Sequence, residues 1–255
     1  MHYAEDGTGP PVLLLHQTPR SWDEFRELIP LLAPRHRVVA MDMLGFGASA
    51  QACPPHTIEA MAGAALDLLD ALGVARCAVL GHHTGALVAL ELAARAPDRV
   101  TALVLSSPPW PDAAYRRSHA SGPAVDTAER ASDGSHLLTL WGKRAAFYPE
   151  PATALLDRFL HDALTPGLDP AEGHRAVARY VVEERIGLVR APVLLLGADA
   201  DPFARPNIEP VRAHLAGAAS VTTVIIPGGT IPLMEHRPDA VAAAVLPFLA
   251  GTGGG

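Results

Sequence analysis

Short apolar runs alternate with longer amphipathic stretches along most of the chain, and this alternation is typical of a parallel sheet covered by helices. The runs have nearly continuous apolar side chains, as strands buried on both faces do. We predict strands at Val12–His16, Val38–Asp42, Cys77–Gly81, Val100–Ser106, Val193–Gly197 and Val221–Ile226. We predict helices at Thr57–Leu72, Thr84–Arg95 and Ala240–Leu249. The fold class is therefore α/β, with a mostly parallel sheet flanked by helices.

The alternation stops between residues 108 and 190, where no buried strand is evident. We predict a helical cap, or lid, at 108–190, over a core made of 1–107 and 191–250, with a glycine-rich tail at 251–255. Lid aromatics either line an apolar pocket or pack the lid onto the core, and packing is the commoner reason. We take Trp110, Trp141 and Tyr148 as candidate binding residues.

The segment Gly81-His82-His83-Thr84-Gly85 joins a predicted strand to a predicted helix almost without a loop. Glycines two residues before and after His83 leave room for a sharp turn that holds the central residue in a strained conformation. His83 then projects at the carboxyl end of the sheet, where open α/β folds bind their ligands. His83 is therefore the first candidate catalytic residue.

Here the sequence resembles the α/β-hydrolase superfamily, in particular its epoxide hydrolase and haloalkane dehalogenase branch. His16-Gln17-Thr18-Pro19 resembles the HG-x-P oxyanion loop, and residues 42–49 match the D-x-x-G-x-G-x-S loop. Residues 197–202 resemble the loop that carries the triad acid, in a register that makes Asp201 the acid. Residues 227–235 resemble the segment that carries the catalytic histidine. The resemblance extends along nearly the whole chain and implies an α/β-hydrolase fold acting on a small molecule.

Two positions depart from the family pattern. His83 stands where the family has a Ser, Asp or Cys nucleophile, and Thr230 stands where it has the catalytic histidine. The acyl-enzyme and aspartyl-ester routes therefore cannot be written with these residues. Gln17 replaces a glycine of the oxyanion loop, yet we expect its N–H and that of Thr84 to face a developing oxyanion. Thr230 is then a candidate for binding water or a substrate oxygen.

A histidine at this turn has a chemical use. The N-terminus of the following helix favours neutral imidazole, whereas Asp201, if it lies within reach, favours the charged form and fixes the tautomer. A neutral, oriented imidazole is a competent general base near pH 7. His83 can then activate water or remove a proton from carbon or a hydroxyl, and an acyl-imidazole route is the less favoured alternative.

Other residues near these motifs have plainer interpretations. His82 takes a position where many superfamily members carry a structural histidine, and we expect His16 to be hydrogen-bonded at the border of the pocket. Adjacent histidines on a tight turn diverge, so we predict no metal site. We expect His236 to face solvent at the start of the last helix. Asp199 competes with Asp201 for the role of the acid and is set aside only by the loop register.

Composition narrows the class of protein. The 20 Lys and Arg residues against 27 Asp and Glu residues give a net charge of −7, which lacks the basic footprint of nucleic-acid binding. No apolar run reaches the length of a membrane span, and no signal pattern opens the chain, so we expect a cytoplasmic protein. Cys53 and Cys77 form no disulfide framework. Residues 45–50 superficially resemble a dinucleotide fingerprint but open no clear helix, so we predict no cofactor.

The start of the sheet also departs from the superfamily. Its members usually have two antiparallel strands before the strand predicted at Val12–His16, and Met1–Pro11 has room for one. Either the edge of the sheet is trimmed or the chain start is shorter than the natural one. A missing edge strand exposes backbone groups and favours pairing between subunits, so a homodimer is one expectation.

Three functions remain open. The first is hydrolysis of an ester, lactone or epoxide-like bond in a small, mainly apolar substrate, with His83 as general base and Asp201 supporting it. The second is a lyase, isomerase or cyclase that uses His83 for proton transfer, and the third is a binding protein without turnover. An epoxide hydrolase would also need two converging lid tyrosines, for which Tyr115, Tyr148 and Tyr180 are available.

Overall fold

The computed structural model describes residues 1–51, 53–119 and 125–252. These residues form a seven-stranded sheet in the order β1-β3-β2-β4-β5-β6-β7. The strands are β1 (Tyr3–Asp6), β2 (Pro11–Leu15), β3 (Arg37–Met41), β4 (Cys77–His82), β5 (Val100–Ser106), β6 (Val193–Ala198) and β7 (Val221–Ile226). β1 is antiparallel to β3, and the other neighbouring strands run parallel. The predicted α/β class is confirmed.

The described α-helices begin and end as follows: α1 (Ile29–Leu32), α2 (Ile58–Ala71), α3 (Thr84–Arg95), α4 (Ala113–His119), α5 (Ser135–Ala145), α6 (Thr153–Ala163), α7 (Glu172–Arg179), α8 (Ile208–His214), α9 (Leu233–His236) and α10 (Pro238–Thr252). The predicted helix at Thr84–Arg95 has the observed bounds. α2 begins one residue later than predicted because Thr57 caps it, its side chain accepting a hydrogen bond from the N–H of Ala60.

Two apolar cores cover the two faces of the sheet. One core packs α2 and α3 against alternate residues of the strands, including Leu13, Val79 and Leu103. The other packs α1 and α10 against the intervening residues, such as Leu14 and Leu80. Burial on both faces explains the continuous apolar runs in the sequence.

The segment between β5 and β6, which we call the insertion (residues 108–190), contains α4 to α7 and, over its described part, no strand. It has a small apolar cluster of its own, which includes Leu140, Tyr148 and Phe159 together with Ile231 of the core. Within the described ranges, no helix has both the length and the apolarity that a bilayer crossing needs.

Candidate active site

The turn between β4 and α3 holds His83 in a strained backbone conformation. Its φ of 47° and ψ of −115° lie outside the regions that side-chain-bearing residues usually adopt. The N–H of His83 donates to the carbonyl of Ser106 at 3.0 Å, which ties the turn to β5. His83 therefore projects from the carboxyl end of the sheet, into the cavity described below.

Close backbone approach explains the two glycines of this turn. A Cβ at Gly81 would overlap the carbonyl of Gly85, and a Cβ at Gly85 would overlap the carbonyl of Leu15 on β2. Only glycine at these two positions lets α3 start this close to the sheet. The close approach of α3 therefore explains both the spacing of the glycines around His83 and the sharp turn between them.

His83 and Asp201 lie in contact. Nε2 of His83 is 2.9 Å from Oδ2 of Asp201, although the two atoms are not aligned for a hydrogen bond. The other carboxylate oxygen of Asp201 accepts the N–H groups of Phe203 and Ala204 at 3.0 and 3.1 Å. Burial raises the pKa of Asp201, but the contact with His83 and these N–H groups outweigh it and lower the pKa to about 2. Asp201 is thus an ionised carboxylate in contact with the imidazole.

Asp199 and Thr230 occupy different surroundings. Asp199 is exposed on the same loop as the buried Asp201. The hydroxyl of Thr230 lies 3.4 Å from Nδ1 of His236, and Thr230 does not line the cavity as the described residues define it. His236 is partly buried rather than facing solvent, and burial together with Arg237 lowers its pKa.

The expected oxyanion role of the Gln17 N–H is wrong. This N–H donates to Oε2 of Glu24 at 2.7 Å, and the side-chain amide of Gln17 donates to Oε1 of the same carboxylate at 2.8 Å. Glu24 is fully buried; burial raises its pKa, but His82 and Arg20 lower it to about 2. A buried carboxylate must be hydrogen-bonded, and Glu24 accepts the Gln17 N–H that was expected to face an oxyanion.

Thr84 follows His83 directly in the turn. It lines the cavity and is the first residue of α3, whose N–H groups have no acceptor within the helix. Its hydroxyl lies 2.9 Å from that of Thr18. Thr84 is therefore the backbone donor that remains beside His83.

The neighbouring histidines are held inside the protein. Nδ1 of His82 lies 2.6 Å from Oε1 of Glu24, and burial lowers the pKa of His82, so a neutral ring donates to this carboxylate. His16 is also buried; Nε2 accepts the N–H of Met43 at 2.9 Å, and Nδ1 lies 2.7 Å from the Gln17 carbonyl. His16 braces the loop and is not part of the described cavity wall.

A cavity of about 640 Å³ opens beside His83. Its core side includes Gln17, Thr18, His83, Thr84, Phe203 and Ile231. Its insertion side includes Tyr115, Asp126, Lys143, Arg144, Phe147 and His174. The charged residues of the insertion side were not predicted from the sequence, because no family motif covers them.

The three aromatic candidates, Trp110, Trp141 and Tyr148, are not among the described residues that line the cavity. Trp110 packs against the ring of His214, with centroids 4.5 Å apart, and against the core beneath α3. Trp141 and Tyr148 pack in the insertion's own apolar cluster. Here the commoner explanation for lid aromatics, packing, accounts for all three. The hydroxyl of Tyr180 donates to Glu91. Of Tyr115, Tyr148 and Tyr180, only Tyr115 lines the described cavity.

Within the described ranges, no three His, Cys, Asp or Glu side chains are grouped closely enough to hold a metal ion. The site is instead a strained turn, an imidazole–carboxylate contact, one helix N-terminus and a cavity that combines a mostly apolar surface with charged side chains on its insertion side.

Comparison with known proteins finds the same family in sequence and structure. Haloalkane dehalogenase 2 of Mycobacterium tuberculosis is 27% identical over 264 residues, covering 96% of this chain and 90% of that protein. Soluble epoxide hydrolase of a Corynebacterium species is 39% identical over 93 residues, and epoxide hydrolase 3 of Siraitia grosvenorii is 37% identical over 107 residues. These two matches cover 36% and 41% of this chain, but only 32% and 34% of the relatives' own lengths.

Solved structures agree on the fold. A hydrolase from Pseudomonas aeruginosa is 25% identical with a TM-score of 0.78, covering 97% of this chain and 93% of that one. An enol-lactonase from Burkholderia xenovorans has the same TM-score at 21% identity, over 98% of this chain and 96% of its own. The family described as alpha/beta hydrolase fold matches residues 10–236. This chain belongs to the α/β-hydrolase fold family.

Proposed function

We propose that this protein is an enzyme that hydrolyses an ester, lactone or epoxide-like bond in a small organic molecule, with His83 as general base in place of a Ser or Asp nucleophile. The observation that carries the proposal is the 2.9 Å contact between His83 Nε2 and the ionised Asp201, at a strained turn beside a cavity. Membership of a family of hydrolases supports the reaction type. We interpret the insertion as a cap that covers the substrate.

The position of Asp201 selects the reacting atom of His83. Because Nε2 lies against the carboxylate, Nδ1 is the ring nitrogen left for the cavity. Nδ1 accepts a proton from water while the water oxygen bonds to the carbonyl carbon, and the carbonyl π electrons move to oxygen. The carboxylate of Asp201 stabilises the imidazolium. When the intermediate collapses, the leaving alkoxide takes the proton from Nδ1, which restores the base.

Activated esters, lactones and epoxides should be offered to the wild type, to His83→Ala and to Asp201→Asn. We expect turnover in the wild type and almost none in His83→Ala. Turnover that survives in His83→Ala would refute the role of His83, with His236 the next residue to test. If no substrate turns over in either protein, the hydrolase proposal fails.

A proton-transfer reaction without hydrolysis is a second candidate, for a lyase, isomerase or cyclase. The specific observation in its favour is that the Gln17 N–H donates to Glu24, which leaves the site with one fewer donor for a tetrahedral oxyanion. Removal of a proton from an acidic carbon needs only the base. Exchange of substrate deuterium into water, lost in His83→Ala, would support this reaction. Unchanged ligand affinity in His83→Ala, with no exchange or turnover in the wild type, would instead indicate a binding protein.

A further inference from the structure

Four side chains on the insertion side of the cavity form a group that the proposed reaction does not use. We call Asp126, Lys143, Arg144 and His174 the charged wall; all four line the cavity. Arg144 and Lys143 extend from α5, His174 extends from α7, and Asp126 lies in the loop before α5.

Asp126 fixes the geometry of the wall. This buried carboxylate accepts from Nε of Arg144 at 2.6 Å and from Nη2 of the same guanidinium, and it lies 2.7 Å from Nε2 of His174. Burial raises the pKa of Asp126, but Arg144 and His174 lower it to about 2, so the carboxylate is ionised. The carboxylate of Asp126 therefore holds the side chains of Arg144 and His174 in fixed positions before any ligand binds.

The wall keeps an unused cationic donor. Nη1 of Arg144 has no hydrogen-bond partner among the described residues, while the guanidinium is buried and lies 5.0 Å over the Phe159 ring. Lys143 donates to the Thr127 carbonyl and adds a second positive charge. Among the described residues that line the cavity, Asp126 is the only carboxylate. The two cations Lys143 and Arg144 against the one anion Asp126 make the wall net positive.

The rest of the cavity is arranged differently. Phe147, Phe203 and Ile231 give it apolar sides, and on the core side the buried carboxylate of Asp201 lies behind His83. A ligand with an anionic end is attracted to the charged wall and repelled from the Asp201 carboxylate behind His83. The charge distribution therefore orients such a ligand with its apolar part along the aromatic sides and its neutral end at His83.

We propose that the charged wall binds the carboxylate of an amphiphilic organic acid, and that this protein's substrates belong to that class. The placement of the reacting bond at His83 rests on the function proposed above, whereas carboxylate binding by the wall does not. The sequence predicts a mainly apolar substrate, and the proposal restricts that class to molecules with a single anionic end.

Calorimetric binding of hexanoate, phenylacetate and benzoate, each paired with its primary amide, tests the wall without any turnover. We expect each acid to bind the wild type about tenfold more tightly than its amide, because a charge-assisted hydrogen bond replaces a neutral one. The preference should fall in Lys143→Met and disappear in the double variant Asp126→Asn/Arg144→Met, which removes both buried charges together. It should persist in Arg117→Met, an exposed arginine of α4 outside the cavity, and in His83→Ala.

Equal binding of acids and amides to the wild type, or no binding of any acid, would overturn the proposal. So would an acid preference that survives the double variant with its fold intact by circular dichroism. If the double variant does not fold, the acid-to-amide affinity ratio of the wild type and its decrease in Lys143→Met decide the question. Because neutral esters report on His83 separately, failure of the wall and failure of the base give different results.

Discussion

The imidazole of His83 connects two loops at the carboxyl end of the sheet. Its ring reaches from the turn after β4 to the Asp201 carboxylate on the loop after β6. A strained backbone conformation at His83 is maintained by the hydrogen bond to Ser106 and the adjacent helix. The imidazole and the carboxylate are therefore in direct contact.

Asp201→Asn should lower turnover by about 10²- to 10⁴-fold, because the imidazole loses the charge that stabilises its protonated form. The fold should remain, since the amide oxygen can still accept the N–H groups of Phe203 and Ala204. Asp199→Asn, on the same loop but exposed, is the matched control and should leave turnover unchanged. Steady-state kinetics on the best substrate of the screen measure both variants, and equal effects would contradict the role of Asp201.

The structure brings His83 and Asp201 together, whereas it directs the Gln17 N–H to Glu24 and leaves Thr230 outside the described cavity lining, although all four lie within family motifs. His83 and Asp201 were predicted because their loops follow a known register. The charged wall was not, because Asp126 and His174 are 48 positions apart in an insertion without a motif. The bond between the Gln17 N–H and Glu24 was also beyond sequence reasoning, since a backbone donor carries no residue-type signal.

At the scale of elements, burial decided what could be predicted. The strands from β2 to β7 are buried on both faces or packed on one, so their apolar runs identified them to within two residues. α1, α8 and α9 were not predicted, because helices of four to seven residues are too short to establish a period. β1 was expected only as room for one strand, since its four residues are mostly polar.

Gly85→Ala tests the packing of α3 on the sheet. The added methyl group would overlap the Leu15 carbonyl, and backbone cannot move aside as a side chain can, so we expect a loss of about 1–3 kcal/mol in unfolding free energy. Gly142→Ala in the exposed middle of α5 meets no atom and should instead gain about 0.5–1 kcal/mol. Urea denaturation distinguishes them, and a loss in both variants would refute the steric argument.

At the scale of the molecule, buried ion pairs join the insertion to the core. Arg20, in the loop after β2, is only 1% exposed and donates to Asp162 of α6 at 2.8 Å and to Glu235 of α9 at 2.7 Å. Arg158 of α6 reaches back to Asp23 at 2.6 Å. No sequence pattern links these positions, so the attachment of the insertion became visible only in the structure.

Arg20→Met should destabilise the protein by about 3–5 kcal/mol, because it leaves buried carboxylates without their cation. Arg26→Met is the control: Arg26 also pairs with Asp23, but its side chain is 58% exposed, and exposed pairs contribute little. Chemical denaturation of the two variants beside the wild type measures the difference. Similar stabilities for both variants would show that the buried pairs do not hold the insertion to the core.

Glu235 gives this junction a dependence on pH. Burial raises its pKa to about 7, because Arg20 and Arg158 offset only part of that cost and the nearby Glu24 adds to it. A folded-state pKa above the ordinary value of 4.5 means that folding takes up a proton. The resulting stabilisation is complete below about pH 4.5 and is lost as the pH rises through about 7. Glu24, Asp126 and Asp201, whose pKa values are about 2, affect stability only at lower pH.

Glu235→Gln should remove this contribution, since glutamine does not titrate while its amide oxygen still accepts from Arg20. Relative to the variant, the wild type should lose unfolding free energy between about pH 5 and about pH 8. Both proteins share every other titratable group, so the difference between them isolates the contribution of Glu235. Denaturation curves at the two pH values supply the measurement. A constant difference would mean that Glu235 is ionised throughout and that Arg20 and Arg158 fully compensate its burial.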